Sequence, residues 1–287
     1  MRLIVGKINN LPTPSAVFTE ITRMVSDPNI ATCDIANLIS RDPALSAKVL
    51  KLTNSSFYGI PRTITNVKQA IVILGLEAVK SLVLSASVFD MFSKKYDLDK
   101  IFLERFWKHS LSVAFMARIV SRIQKSSLDI DTEMTFSEGL LHDIGKLIII
   151  SQFPKERAAI DNITNGEPDV SQSQAEEQVL GFSHADIGSY LCSKWNLPDN
   201  FCLAILGHHN SEYVSSDPNT ALLHLSNLLA HKMDTLYRGY PPETSPFYDP
   251  SWSILRLQPE QEMPLIELLQ QDYVKAEAFL DMAKGGE

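Results

Sequence analysis

Histidine is the residue type whose placement in this chain most invites chemistry. There are seven, and five of them, His109, His142, His184, His208 and His209, fall in helical contexts that could converge in a folded bundle. His142 is followed directly by Asp143 in LLHDIGKL. An imidazole nitrogen beside a carboxylate oxygen suits iron, manganese, zinc or a similar ion. Burying Asp143 in so apolar a run is costly unless a cation or hydrogen bonds compensate it. The polar positions 142, 143 and 146 therefore ask for a partner. Taken alone, the pair reads equally as a hydrogen-bonded core histidine with a capping aspartate. His208 and His209 in ILGHHN also fit a solvated helix end, His184 in GFSHADIG a helix start capped by Ser183, and His109 in FWKHSLSVAFMA an ordinary core histidine. Their order along the chain says more than any one of them.

The elements that must position these residues read as helices from end to end. Ser15 to Val25 carries one apolar face after a Pro-Thr-Pro start. Asp42 is a natural N-cap for the next helix, with Pro43 at the first helical position, where its missing N–H costs nothing. NSSFYGIP, from Asn54 to Pro61, is a turn-rich break. Helix resumes over Val67 to Leu74, is punctuated by Gly75, and continues from Leu76 to Phe92. SKKYDLDK, from Ser93 to Lys100, is a charged stretch suited to joining two helical parts. Beyond it, helices are expected over Lys100 to Gln124, Thr135 to Ser151, Pro154 to Thr164, Gln172 to Leu180, Ser183 to Trp195, Pro198 to His208 and Asn219 to Tyr237. PPETSPFYDP, from Pro241 to Pro250, is too rich in proline for regular structure. Two short helices close the chain, near Pro259 to Gln271 and Tyr273 to Ala283. No run of alternating strands, fixed-period repeat or low-complexity segment interrupts this pattern. The fold class expected is all-α: a multi-helix bundle with helical subdomains at 1–95 and 96–240, the second carrying the histidines, then a loop and short helices at 241–287.

Bulk properties narrow the function. With 45% hydrophobic and 21% charged residues, the 287-residue chain is globular rather than disordered. A net charge of -8 disfavours general affinity for nucleic acid. Cys33, Cys192 and Cys202 are odd in number and form no CxxC pair, which points to reduced thiols and the cytoplasm. The opening MRLIVGKINNLPTPS is too short in its apolar part for a secretory or membrane segment. Leu140 to Ile150, broken by His142, Asp143 and Lys146, is a buried helix rather than a bilayer span. Phe102, Phe106, Trp107 and Trp195 read as core, and Arg62 and Lys68 as solvated surface charge.

The second half of the chain resembles the HD superfamily of metal-dependent phosphohydrolases, in which helices gather H…HD…D ligands around one or two metals. The HDOD branch is the nearest in pattern, and the resemblance runs along most of the chain. It is carried by LPTPSAVFTEI, LISRDPALSAKVLKLTNSSFYG and ITNVKQAIVILGLEAVKSLVL, then by FWKHS, GLLHDIGKL, AEEQVLGFSHADIG, LCSKWNLP and ILGHH. The resemblance implies a helical module of bacterial signalling, and a ligand set of His109, His142, Asp143, His184, His208 and His209. It implies one or two transition ions, iron or manganese being favoured. The sequence departs from the enzymes at Asn227, where they place an aspartate, and at Arg105, where some relatives place a glutamate. Asp234, two helical turns after Asn227, lies too far along to take its place simply. The related HD-GYP phosphodiesterases follow His-His closely with Gly-Tyr-Pro. Here HHNSEYVSSDP lacks it, and Gly239-Tyr240-Pro241 comes some thirty residues too late. In enzymes of this type the lysine at Lys146 can contact the scissile phosphate.

Two functions follow as expectations. The favoured one is a non-catalytic signalling scaffold that binds partner proteins and keeps an HD-type metal site, in accord with Asn227, Arg105 and the missing Gly-Tyr-Pro. The alternative is a metal-dependent phosphohydrolase of a nucleotide or cyclic dinucleotide, with Lys146 as its catalytic cation, in accord with HDIGK and His208-His209.

Overall fold

Helix starts follow the caps written in the sequence. In the computed structural model, which describes residues 12–13, 16–25, 31–56, 58–95, 98–125, 127–167, 169–238, 249–273 and 281, all regular structure among the described residues is helical. The first group is α1 (Ala16–Val25), α2 (Thr32–Ser40), α3 (Pro43–Thr53), α4 (Val67–Leu74) and α5 (Leu76–Lys95). The Asp42 carboxylate accepts from Leu45 N at 3.0 Å to start α3, with Pro43 in its first turn. Asn66 does the same for α4 through Gln69 N. Ile39, Val49, Leu52 and Leu82 are fully enclosed where these helices meet.

The second group begins with α6 (Lys100–Gln124), the long spine of the molecule, capped by Asp99. It continues with α7 (Thr132–Leu141), α8 (Ile144–Gln152), α9 (Pro154–Gly166), α10 (Gln172–Leu180), α11 (His184–Lys194) and α12 (Asp199–Gly207). Then come α13 (Ser211–Ser216), α14 (Pro218–Arg238), α15 (Pro250–Ile254), a single 3-10 turn at Pro259–Gln261, and α16 (Glu262–Tyr273). The spine packs along α7, α14 and α16. A Cβ at Gly139 would lie 2.6 Å from the Ala114 Cα, so α7 touches the spine backbone to backbone. Asn219 on α14 donates to the buried Glu138 of α7 at 2.6 Å, and burial keeps that carboxyl's pKa well above the usual range despite this bond. Where the two groups meet, Ser81 on α5 donates to the Glu133 carbonyl at 3.0 Å, and Ser137 donates to Ser81 Oγ at 2.8 Å. At the other side, the Trp195 indole donates to the Pro12 carbonyl at 3.1 Å.

Several expectations are corrected. Thr135 to Ser151 is two helices, α7 and α8, broken at His142 and Asp143. The helix over Thr32–Ser40 went unread because its N-cap, Ala31, makes no side-chain capping bond. Ser211–Ser216 and Pro250–Ile254 add short helices that hydrophobic periodicity is too coarse to detect. Phe106, Trp107 and Trp195 are buried, Phe102 is partly buried, and Arg62 and Lys68 are exposed. No described helix is long and apolar enough to cross a membrane. The opening residues 1–11, Gly239-Tyr240-Pro241, most of the proline-rich 241–250 stretch and nearly all of the helix expected near Tyr273 to Ala283 lie outside the described residues.

Candidate metal centre

The break between α7 and α8 places the chemistry. His142 caps the end of α7, and Asp143 stands at the N-cap of α8 with φ -100° and ψ 6°. Its carboxylate makes no capping hydrogen bond, so the capping reading of the His-Asp pair does not hold. The side chain instead turns inward. A Cβ on Gly145 would lie 2.0 Å from the His184 carbonyl oxygen. That absence of a side chain lets the start of α8 approach the start of α11 and brings His184 to the carboxylate. Ser183 caps α11 with a full capping box with Asp186.

Asp143 is the hub. Its Oδ1 lies 3.2 Å from His184 Nε2 and 3.8 Å from His208 Nε2. Its Oδ2 lies 3.2 Å from His142 Nε2, 4.0 Å from His109 Nε2 and 2.7 Å from Lys146 Nζ. Four elements thus converge on one carboxylate: the spine, the α7–α8 turn, the start of α11 and the end of α12. Ligand atoms of Asp143, His184, His208 and His209 lie within 4.8 Å of one another, as do those of His109, His142 and Asp143. All six residues expected as ligands therefore meet in one place. His142, Asp143, His184 and His208 are buried, whereas His209 is exposed and packs against the His208 ring, with centroids 4.0 Å apart and planes tilted by 45°.

The far side of each buried ring is fixed by the protein. His142 Nδ1 donates to the Gly139 carbonyl at 2.8 Å and His208 Nδ1 to the Ile205 carbonyl at 2.7 Å. His184 Nδ1 donates to Glu176 Oε2 at 2.6 Å, which also accepts from the His184 amide. These bonds set the tautomer and direct each Nε2 inward, the arrangement that orients metal-ligating imidazoles. The Nε2 atoms of His142, His184 and His208 and the Oδ1 of Asp143 are buried and make no hydrogen bond. Buried polar atoms without partners are costly, and several aimed at one point fit a divalent transition ion bound by nitrogen and oxygen.

Helix α14 adds residues that sequence reasoning placed poorly. Asp234 Oδ2 lies 3.1 Å from His109 Nδ1, and Asn227 Oδ1 lies 3.0 Å from its Nε2. Two helical turns carry Asp234 past the position of Asn227, as expected, yet that offset matches the opposite edge of the same imidazole. His231, one turn after Asn227, packs against His109 with ring centroids 4.2 Å apart and planes tilted by 35°. His224 donates Nδ1–H to the His208 carbonyl at 2.6 Å and reaches Asp249 Oδ2 at 2.7 Å through Nε2. The signal for all of these was their spacing of three, four or seven residues along one helix. Arg105 is exposed, outside the cluster.

Charge follows from this geometry. Burial pushes the Asp143 carboxyl up, but His142 and Lys146 beside it pull it well below the usual carboxylate range. Burial lowers His208 to about 4 and also lowers His142, so both rings are neutral at pH 7. Burial acts the same way on His184, but the Glu176 carboxylate hydrogen-bonded to it and the Asp143 carboxylate beside it outweigh burial and raise that ring to about 9. An ion bound at His184 Nε2 would have to displace that ring's proton. Calorimetry at pH 7 in buffers of differing ionisation enthalpy should register proton release on metal binding, with affinity falling as the pH falls. An affinity flat from pH 6 to 8 would contradict this ordering.

An all-helical bundle that gathers H…HD…H…HH around a single carboxylate is a fold of the HD class. The model of the HDOD domain matches residues 11–211, and the chain belongs to that family. It is similar to an HDOD domain protein of unknown function from Geobacter sulfurreducens, with 26% identity and a TM-score of 0.75 over 98% of this chain and 95% of that one. A candidate phosphohydrolase from Shewanella amazonensis SB2B, 21% identical, has the same fold with a TM-score of 0.75 over 98% of each chain. An uncharacterized protein of Treponema pallidum (strain Nichols) is 24% identical over 265 residues. That alignment covers 91% of this chain and 49% of the relative, so the chain spans about half the length of that protein.

Proposed function

We propose that this HDOD chain is a non-catalytic signalling scaffold whose second group of helices is held together by a transition ion at the Asp143 cluster. The observation that carries the reading is the position of Lys146. In a phosphohydrolase that ammonium would turn to the substrate phosphate, whereas here it lies 2.7 Å from Asp143 Oδ2 with its side chain largely covered. The ion would be held by imidazoles from α11 and α12 and by the carboxylate of the α7–α8 turn, cross-linking elements far apart in sequence. When bound, it would supply Lewis acidity and a site for an activated water, which is why the hydrolase remains the alternative. Partner proteins would dock on the first group of helices, where Val72 on α4 is 76% exposed close in sequence to the exposed Arg62 and Lys68. All three cysteines are free, in keeping with a reducing cytoplasm.

The test is a screen of phosphodiesters, including cyclic dinucleotides, and of phosphomonoesters with added manganese or iron. No turnover above that of Asp143→Ala is expected. Turnover present in the native chain and abolished by Asp143→Ala would replace the scaffold with the hydrolase.

A further inference from the structure

The six candidate ligands are not equivalent, and the two edges of Asp143 differ in what already occupies them. On the Oδ1 edge, His184 and His208 present Nε2 atoms that make no hydrogen bond, Oδ1 itself makes none, and His209 packs edge-on to His184 and tilted against His208. On the Oδ2 edge, His142 also presents an Nε2 that makes no hydrogen bond, 3.2 Å from Oδ2, but the Lys146 ammonium sits 2.7 Å from that same oxygen, which a second ion would have to share. His109 on that edge has both ring nitrogens engaged, Nδ1 with Asp234 and Nε2 with Asn227. Either the ring carries both protons and donates to each side chain, or the Asn227 amide turns its NH2 toward Nε2. In both forms the lone pair a metal would need is taken. Asn227 itself offers only a neutral oxygen, and that oxygen or its amide nitrogen is committed to His109.

We propose that the centre holds a single divalent transition ion on the His184, His208, His209 and Asp143 Oδ1 edge, while the Lys146 ammonium and the Asn227 amide occupy the other edge and exclude a second ion. This rests on the reading of the cluster as a metal centre and goes beyond it by assigning the count and the edge. The ammonium is a tethered monovalent cation already neutralising Oδ2. Admitting a divalent ion there would place two cations against each other with only one carboxylate between them, and that repulsion is strong where water is scarce. Charge, more than space, closes the second position. His109 then acts as a packed element between α6 and α14 rather than as a ligand, held by Asp234 and set against His231.

The experiment is metal analysis of the full chain purified without chelator, followed by titration of the metal-depleted chain with Mn(II) alone. About one ion per chain is expected in the native protein and in His109→Ala, with the EPR spectrum of an isolated, uncoupled Mn(II). Less than about one-tenth of an ion is expected in His208→Ala. The double variant Asn227→Asp with Lys146→Gln should take up about two ions and show exchange coupling. Should that variant fold poorly, the near-isosteric Asn227→Asp alone should still bind a second Mn(II) more tightly than the native chain does. About two ions in the native protein, loss of the ion in His109→Ala, or unchanged stoichiometry in both Asn227 variants would overturn the single-edge assignment while leaving a metal centre standing. Less than about one-tenth of an ion in the native chain would instead remove the metal centre itself.

Discussion

Asp143→Ala is expected to purify with less than about one-tenth of a metal ion per chain and to melt about 5–10 °C below the native protein. The carboxylate is the one anion shared by every member of the cluster, so its loss leaves imidazoles to bind a dication without charge compensation. Two effects then add. Stabilisation by a ligand present at a hundred times its Kd amounts to about 2.7 kcal/mol, and a chain of this size shifts by roughly 2–4 °C for each kcal/mol. In addition, Lys146 loses the carboxylate it faces at 2.7 Å, an ion pair largely shielded from water. Metal analysis and a thermal melt with and without chelator separate the two, because only the first disappears when native protein is stripped. A variant that keeps about one ion would show that Asp143 is not the hub.

Gly145→Ala is the second large effect, and it acts without touching a ligand. The added methyl would collide with the His184 carbonyl oxygen at 2.0 Å and with its carbonyl carbon at 2.8 Å. Both are backbone, so no side chain can swing aside, and α8 must retreat from α11. Overpacking of this kind costs about 1–3 kcal/mol and sometimes more. The upper end is expected here, together with a loss of metal affinity of at least about tenfold, because the retreat separates Asp143 from His184. Gly166→Ala provides the contrast. Nothing lies within 4 Å of its added carbon at an exposed helix end, so stability should hold or rise slightly. Denaturant melts of the two variants, with Mn(II) titration of each, distinguish the outcomes. Equal stability of the pair would mean that α8 and α11 are less tightly opposed than the backbone indicates.

The fold was legible wherever local chemistry decides the backbone. Asp42 with Pro43, Asp99 before the spine, and Ser183 before His184 each mark a start that a side-chain oxygen enforces, and the spine runs from Lys100 to Gln124 as its periodicity requires. The convergence of six ligands was legible only through their order in the chain, since each alone had an ordinary explanation. What escaped was set by tertiary contact. The apolar residues on both sides of His142 keep a helical rhythm straight through the break, and only the approach of Gly145 to His184 requires the chain to turn there. Asp234 was set aside on axial distance, which is a sound argument about replacing Asn227. It says nothing about reaching the opposite edge of a ring that belongs to another helix. Glu176 stands in a motif of the family resemblance and His224 at helical spacing from Asn227, but the part each plays was not legible, because a side chain that steadies a ligand needs only to be near it in space.

The bond from Trp195 to the Pro12 carbonyl spans 183 positions, and it joins the far end of the helix that begins with His184 to the earliest residue described. Closing so long a loop costs about 4–5 kcal/mol of chain entropy by the (3/2)RT ln n rule, more than the roughly 1 kcal/mol one hydrogen bond returns, so the clasp holds only with the intervening helices docked. The bond therefore reports on docking of the two helical groups as a whole, since it cannot hold the segment at Pro12 by itself.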